Sequence, residues 1–174
     1  MSVNLYGVTQ RREANRWVDL DSIDCTQDYA LIGWLGLSES DRNWTYELKR
    51  LSPLRGLPED YIEAGHFLGE WGFSWLHSDE ILSAERPHAM RVVGIPIASF
   101  AAWGGLTLPN DWNPLHAWWE TDPNISKPSK ISLETTYVAV EVDYDFTADF
   151  LPFTDRVRHL VALHGAVRFV FGFA

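Results

Sequence analysis

The sequence predicts an α+β domain: a single, mostly antiparallel sheet with about three to four helices packed against it. Two observations carry this reading. Residues 137–146 alternate strictly, with Val138, Val140, Val142, Tyr144 and Phe146 on one side and Ala139, Glu141, Asp143 and Asp145 on the other, which is the period of a half-buried strand. Residues 154–164 place Val157, Leu160, Val161 and His164 on one helical face, between a Thr154 cap and Gly165, and the apolar run 167–173 then returns to strand. A chain of 174 residues suits one well-buried core, so residues 1–174 read as a single domain. Its 46% hydrophobic and 22% charged residues exclude a disordered chain.

The remaining elements follow in order. Residues 3–8 read as a first strand, followed by a polar stretch rich in Arg and Asp. Residues 28–37 read as an apolar helix with Thr26 or Asp28 at the N-cap. Residues 41–49 are polar, a turn or a helix end, and 52–58 (Ser-Pro-Leu-Arg-Gly-Leu-Pro) form a punctuated loop. Pro58 fits a first helical position and Glu59 and Asp60 suit the helix dipole, so a helix is expected to run to about Trp71, with Gly72 at C′. Ser78, Asp79 and Glu80 open a short helix to Ala84, and residues 90–100 form the second strand. Residues 103–130 are a long aromatic, Pro-rich loop, a length usually tied to function.

Composition narrows the function classes. A net charge of −10 without a basic cluster argues against general nucleic-acid binding, and leaves a basic partner or an imitator of nucleic acid open. Cys25 stands alone, so neither an intrachain disulfide nor a thiol metal cluster is expected. Residues 92–110 carry no charge, but Gly94, Pro96, Ser99, Gly104, Gly105, Thr107 and Pro109 interrupt them, so a buried strand and loop fit better than a membrane span. Residues 1–7 lack the basic and apolar regions of a signal peptide, and a cytoplasmic location is expected. Nine Trp, nine Phe and six Tyr exceed what a core of this size needs, so some indoles should line a cleft or an interface.

Familiar catalytic and cofactor patterns are missing from the sequence: no dinucleotide fingerprint, phosphate-binding loop or zinc helix occurs, and no cofactor is expected. Gly72-Phe73-Ser74-Trp75-Leu76 stops one residue short of a nucleophile elbow. His159 and His164 are about 140° apart around a helix and cannot chelate one ion together. Glu141, Asp143 and Asp145 could hold a hard cation through oxygen ligands, although a solvated sheet face explains them more simply.

The arginines are the better candidates. Arg55 lies in a stiff loop between Pro53 and Pro58, and Arg42 follows the first helix, with Trp44, Trp71 and Trp75 near in sequence. A planar, permanently charged fork beside aromatic faces holds phosphate and stacks a base. The plainer alternative pairs Arg55 with a neighbouring acid such as Asp60.

Four segments carry a family resemblance. Asp28-Tyr29-Ala30-Leu31-Ile32-Gly33-Trp34-Leu35, Arg55-Gly56-Leu57-Pro58-Glu59-Asp60, Ser74-Trp75-Leu76 with Glu80-Ile81-Leu82, and Val167-Arg168-Phe169-Val170-Phe171-Gly172-Phe173 occur here in that order. Together they resemble a widespread family of small tailed-phage and prophage proteins. That family carries a histidine pair around its Ser-Trp, where Phe73 and His77 stand here, and often ends in Phe-Asp, where this chain has Phe173-Ala174. The resemblance implies a phage setting and a shared fold, and names no reaction.

A phage protein of this kind is expected to act by binding. The leading expectation is a non-enzymatic binder that sequesters a small nucleotide-type signal of host defence. Arg42 and Arg55 would contact phosphate, Trp75 or Trp71 would stack, and Asp28 or Ser74 would hydrogen-bond polar edges. The alternatives are an inhibitor docking onto a host protein through its acidic face and residues 103–119, a hydrolase of unrecognised type, and a virion component. A homo-oligomer stays open.

Overall fold

The computed structural model describes residues 3–26, 28–36, 48–62, 65–114, 129–130 and 136–174. The α+β class holds, with antiparallel sheets and four helices among the described residues. The described strands divide into two four-stranded sheets where the sequence suggested one.

The first sheet has the order β2 (Arg16–Thr26), β1 (Asn4–Glu13), β8 (Val167–Phe173), β3 (Trp71–His77), antiparallel throughout. The second has the order β5 (Asn113–Pro114), β4 (His88–Pro96), β7 (Thr136–Asp145), β6 (Ser129–Lys130), again antiparallel. The helices are α1 (Tyr29–Leu35), α2 (Ser78–Leu82), α3 (Ile97–Phe100) and α4 (Leu151–His164). None of the described helices is long and apolar enough to cross a membrane.

The polar stretch rich in Arg and Asp, given no element from sequence, completes β1 and forms the strand β2. β2 pairs with β1 around a two-residue turn at Ala14 and Asn15, where Ala14 takes a positive φ of 51°. The ladder shifts register between Thr9 and Gln10: Thr9 faces Asp21, Gln10 faces Asp19, and Leu20 is the extra residue of a bulge.

β8 is the spine of the first sheet, and all seven of its residues are buried. Phe169, Phe171 and Phe173 face the helices, in one cluster with Leu5, Ile32, Leu35, Leu76, Ile81, Phe150, Phe153 and Val157. Trp34 is core, stacked on Phe150 at 4.9 Å. Phe146 and Ala89 bring the second sheet into the same cluster. On the opposite face Val170 packs with Val8 and Leu68, flanked by Tyr61, Phe73 and Trp75.

Leu68 and Tyr61 belong to the stretch expected to be a helix from Pro58 to Trp71. That helix does not form: residues 58–62 and 65–70 are irregular and lie as a strap over the outer face of the first sheet, and Trp71 and Gly72 open β3. Gly65 and Gly69 take positive φ values of 83° and 90°, which no helix contains, and the Glu70 N–H donates to the Phe173 carbonyl at 2.7 Å. Contacts to a distant strand outweigh the local helix signals. The strand expected over 90–100 starts at His88 and stops at Pro96, whose ring ends the ladder before α3. The Thr154 signal marks the first turn of α4: the helix begins at Leu151, and the Thr154 hydroxyl donates to the Phe150 carbonyl at 3.1 Å.

Gly69 is required where the strap meets β8. A Cβ there would sit 2.4 Å from the Phe173 carbonyl oxygen, with φ in the region that disfavours side chains. Gly69→Ala is therefore expected to lower stability by on the order of 2 kcal/mol, measured as a shift in urea midpoint at constant slope.

Candidate functional site

The outer face of the first sheet collects the chemistry. Its elements run from the β2 edge to the β3 edge, with the strap across them. β1 and β8 place Gln10 opposite Arg168, the bulge places Asp19 opposite Gln10, and His77 of β3 pairs with Arg168 from the far side. These polar side chains therefore form one row across the sheet.

Arg168 is the only charged residue in β8, and its side chain is 4% exposed. Its Nε donates to Gln10 Oε1 at 2.6 Å, and its Nη1 to Asp60 Oδ1 of the strap at 2.7 Å. Gln10 is itself oriented by Asp19, since its Nε2 donates to Asp19 Oδ1 at 2.6 Å. His66, also on the strap, lies 3.5 Å from Asp19 Oδ2. The Trp17 indole covers the guanidinium, 4.6 Å from its carbon. An ion buried this far needs partners, because its desolvation costs several kcal/mol.

Trp17 extends the row. Its ring lies 5.7 Å from the His77 ring, and His77 meets Trp75 edge-on at 5.1 Å. Arg12 lies 5.4 Å from the Trp17 centroid and donates from Nε to the Ala14 carbonyl at 3.3 Å, with no carboxylate partner among the described residues. Arg55 lies 4.9 Å from the Trp75 centroid. The result is a strip of rings, Trp17, His77 and Trp75, with guanidinium groups at both ends. Cations over aromatic faces contribute about 0.5–2 kcal/mol each.

Of the residues singled out from sequence, Arg55, Ser74 and Trp75 come together. The loop 52–56 runs along the β3 edge: Ser74 Oγ accepts from the Arg55 N–H at 3.1 Å, and the Gly56 N–H donates to the Phe73 carbonyl at 3.0 Å. The Arg55 guanidinium is fully engaged. Its two terminal nitrogens reach Glu80 at 3.0 and 2.5 Å, its Nε donates to Ser52 Oγ at 3.0 Å, and Nη1 also reaches the Trp75 carbonyl at 3.4 Å. Its acid is thus Glu80, while Asp60 serves Arg168. Glu80 is pinned in turn, accepting from the His77 N–H at 2.8 Å at the start of α2.

Asp28 and Trp71 belong elsewhere. Asp28 caps α1, accepting from the Leu31 N–H at 3.0 Å. Trp71 packs on Phe173 at 5.5 Å, against the helix-side core. Arg42 and Trp44 lie outside the described residues, as do Trp118 and Trp119 of the long loop. Within the described part of that loop Trp112 packs down: it sits 5.4 Å from Tyr144, and both rings lie beside the Arg91 guanidinium, at 5.5 and 4.7 Å. Glu141, Asp143 and Asp145 are exposed along one side of β7. Asp145 accepts from the Thr147 N–H at 2.8 Å and lies 3.6 Å from Arg86. Among the described residues no three His, Cys, Asp or Glu side chains are placed to share a metal ion.

Arg12, Trp17, His77 and Arg168 were missed as site residues. A lone charge inside the apolar run Val167–Phe173 was the available signal, because a charge among so many buried neighbours must have partners. Comparison of the chain with family models, with curated proteins and with solved structures returned no match.

Two carboxylates of this chain respond to pH in opposite senses. Hydrogen bonds from Arg55, chiefly, hold the Glu80 carboxyl below its ordinary range. Its contribution is present above about pH 4.5, the ordinary glutamate value, and is lost as pH falls through the lowered value. Burial, chiefly, raises the Asp28 carboxyl, with Asp149 adding to the effect and the Leu31 N–H opposing it. A raised value makes the ionised side chain a net cost at neutral pH. Glu80→Gln is accordingly expected to lower Tm at pH 7, by an amount that shrinks as pH falls below the ordinary glutamate range. Asp28→Asn keeps a capping oxygen and is expected to raise Tm at pH 7, with the gain disappearing in acid. Thermal melts between pH 3 and pH 7 check both.

Proposed function

We propose that this chain is a non-enzymatic binding protein whose ligand is a small anionic molecule with a planar ring, of nucleotide type, held on the strip of Trp17, His77 and Trp75. The observation that carries the reading is that row of three rings, set between guanidinium groups in a chain of net charge −10. Indole faces stack bases at about 1–3 kcal/mol per base. Arg12 supplies a cation with no carboxylate among the described residues, the kind of group that collects phosphate.

Arg55 and Ser74 take positioning roles in this reading. Ser74 fixes the loop that carries Arg55, and Arg55 lies against the Trp75 ring while Glu80 occupies its fork. The resemblance of four segments to tailed-phage and prophage proteins supports a phage-encoded protein acting in the host cytoplasm. Sequestration of a nucleotide-type host defence signal fits that setting.

Calorimetric titration against cyclic nucleotides and cyclic ADP-ribose isomers is expected to find a binder that also quenches Trp fluorescence. Trp75→Ala should weaken it about tenfold or more, and the ligand should be recovered intact after denaturation. Silence across the whole panel, or recovery of a converted product, would reject the reading.

A further inference from the structure

Arg55 and Arg168 both meet a carboxylate, and the two arrangements differ in a way that bears on binding. Glu80 takes both prongs of Arg55 and is tied down by the His77 N–H, so nothing can replace it without opening the start of α2. At Arg168 only Nη1 is engaged by the acid, and Asp60 has no other partner among the described residues. Asp60 sits on the strap with its side chain 54% exposed, whereas the guanidinium it meets is 4% exposed. The third nitrogen, Nη2, is buried without any hydrogen-bond partner.

The rest of Arg168 is fixed in advance. Its Nε is held by Gln10, which Asp19 holds in turn, and Trp17 covers its face. A guanidinium so constrained presents the Nη1–Nη2 edge, the geometry that takes two oxygens of a carboxylate or phosphate side by side. Asp60 supplies one oxygen to that edge and leaves the second prong unmatched. Its single bond and its exposure make it the partner that can leave.

We propose that the Nη1–Nη2 edge of Arg168 is an oxyanion-binding site, in which a phosphate or carboxylate group of the ligand replaces the Asp60 carboxylate beneath Trp17. This deepens the binding role assigned to the Trp17–His77–Trp75 strip and rests on it for the planar part of the ligand. Asp60 then acts as a built-in competitor: the free protein keeps the buried cation paired, and the ligand must displace it. A ligand with an oxyanion about one ring's width from its stacking face would reach Trp17 and Arg168 together.

The test uses the full chain and inorganic phosphate as probe, titrated at constant ionic strength. Asp60→Asn removes the competing charge and should bind phosphate about tenfold more tightly than the wild type, since a larger fraction of the protein then holds the edge open. Asp155→Asn removes the same charge from the exposed pair with Arg158 and should bind as the wild type does. Adding Arg168→Lys to Asp60→Asn keeps the charge, removes the fork and should abolish the gain. A merely structural ion pair predicts instead that Asp60→Asn loses stability and gains no affinity. That result, or an equal gain in Asp155→Asn, would overturn the assignment even if nucleotides bind the strip. Tighter phosphate binding by Asp60→Asn, with every nucleotide failing, would uphold it and reject the stacking role alone.

Discussion

A guanidinium enclosed in the central strand of a sheet sets conditions that the rest of this molecule meets. β8 is hydrogen-bonded on both edges and covered on both faces, so nothing on it reaches water freely. Phe169, Phe171 and Phe173 satisfy that condition on the helix side simply by being apolar. On the other face Val170 lies under Leu68, while Arg168 needs charge, hydrogen bonds and a cover. Gln10 from the neighbouring strand, Asp60 from the strap and the Trp17 ring supply these. The strap is thus held over the sheet by an ion pair as well as by apolar contact, and the polar row follows from one cation.

The edges of the first sheet are handled by the same residue type. An exposed edge strand is a template for pairing with another chain. On β2 the Arg156 guanidinium donates to the Ser22 carbonyl at 3.2 Å and pairs with Asp21. On β3 Arg55 reaches the Trp75 carbonyl while the Gly56 N–H takes that of Phe73. Arg55 therefore closes an edge and backs an aromatic ring at once. Protection against edge pairing and presentation of the ring strip share one side chain, so replacing it disturbs both.

Legibility in the sequence followed the range of the interactions. β7, α4 and β8 were readable because period-2 and helical patterns are local, as was the α1 cap at Asp28. The strap was misread as a helix because Pro58, Glu59 and Asp60 are sound helix-start signals, yet Asp60 is held by a residue 108 positions away. Nothing near position 60 records that. The division into two sheets is equally non-local, since patterns mark strands and not their partners. At the candidate site, Arg55 and Trp75 were found because they are close in sequence, and Arg168 and Trp17 were not because they meet only through the sheet.

The bulge at Leu20 gives β2 two orientations within one strand. Below it Ile23 points into the helix-side core opposite Gly7, and above it Trp17 and Asp19 stand on the outer face with Arg12 and Gln10. Residues 17, 19, 21 and 23 share one parity in sequence yet serve both faces, so no simple alternation can be seen there. Losing a single residue near Leu20 would restore a regular ladder and leave both halves as they are, with Trp17 still outward opposite Arg12 and Ile23 still inward opposite Gly7. In a lineage descended from this chain, the spacing from Trp17 to Ile23 is therefore free to shorten by one residue, while the faces that those two residues serve should outlast it.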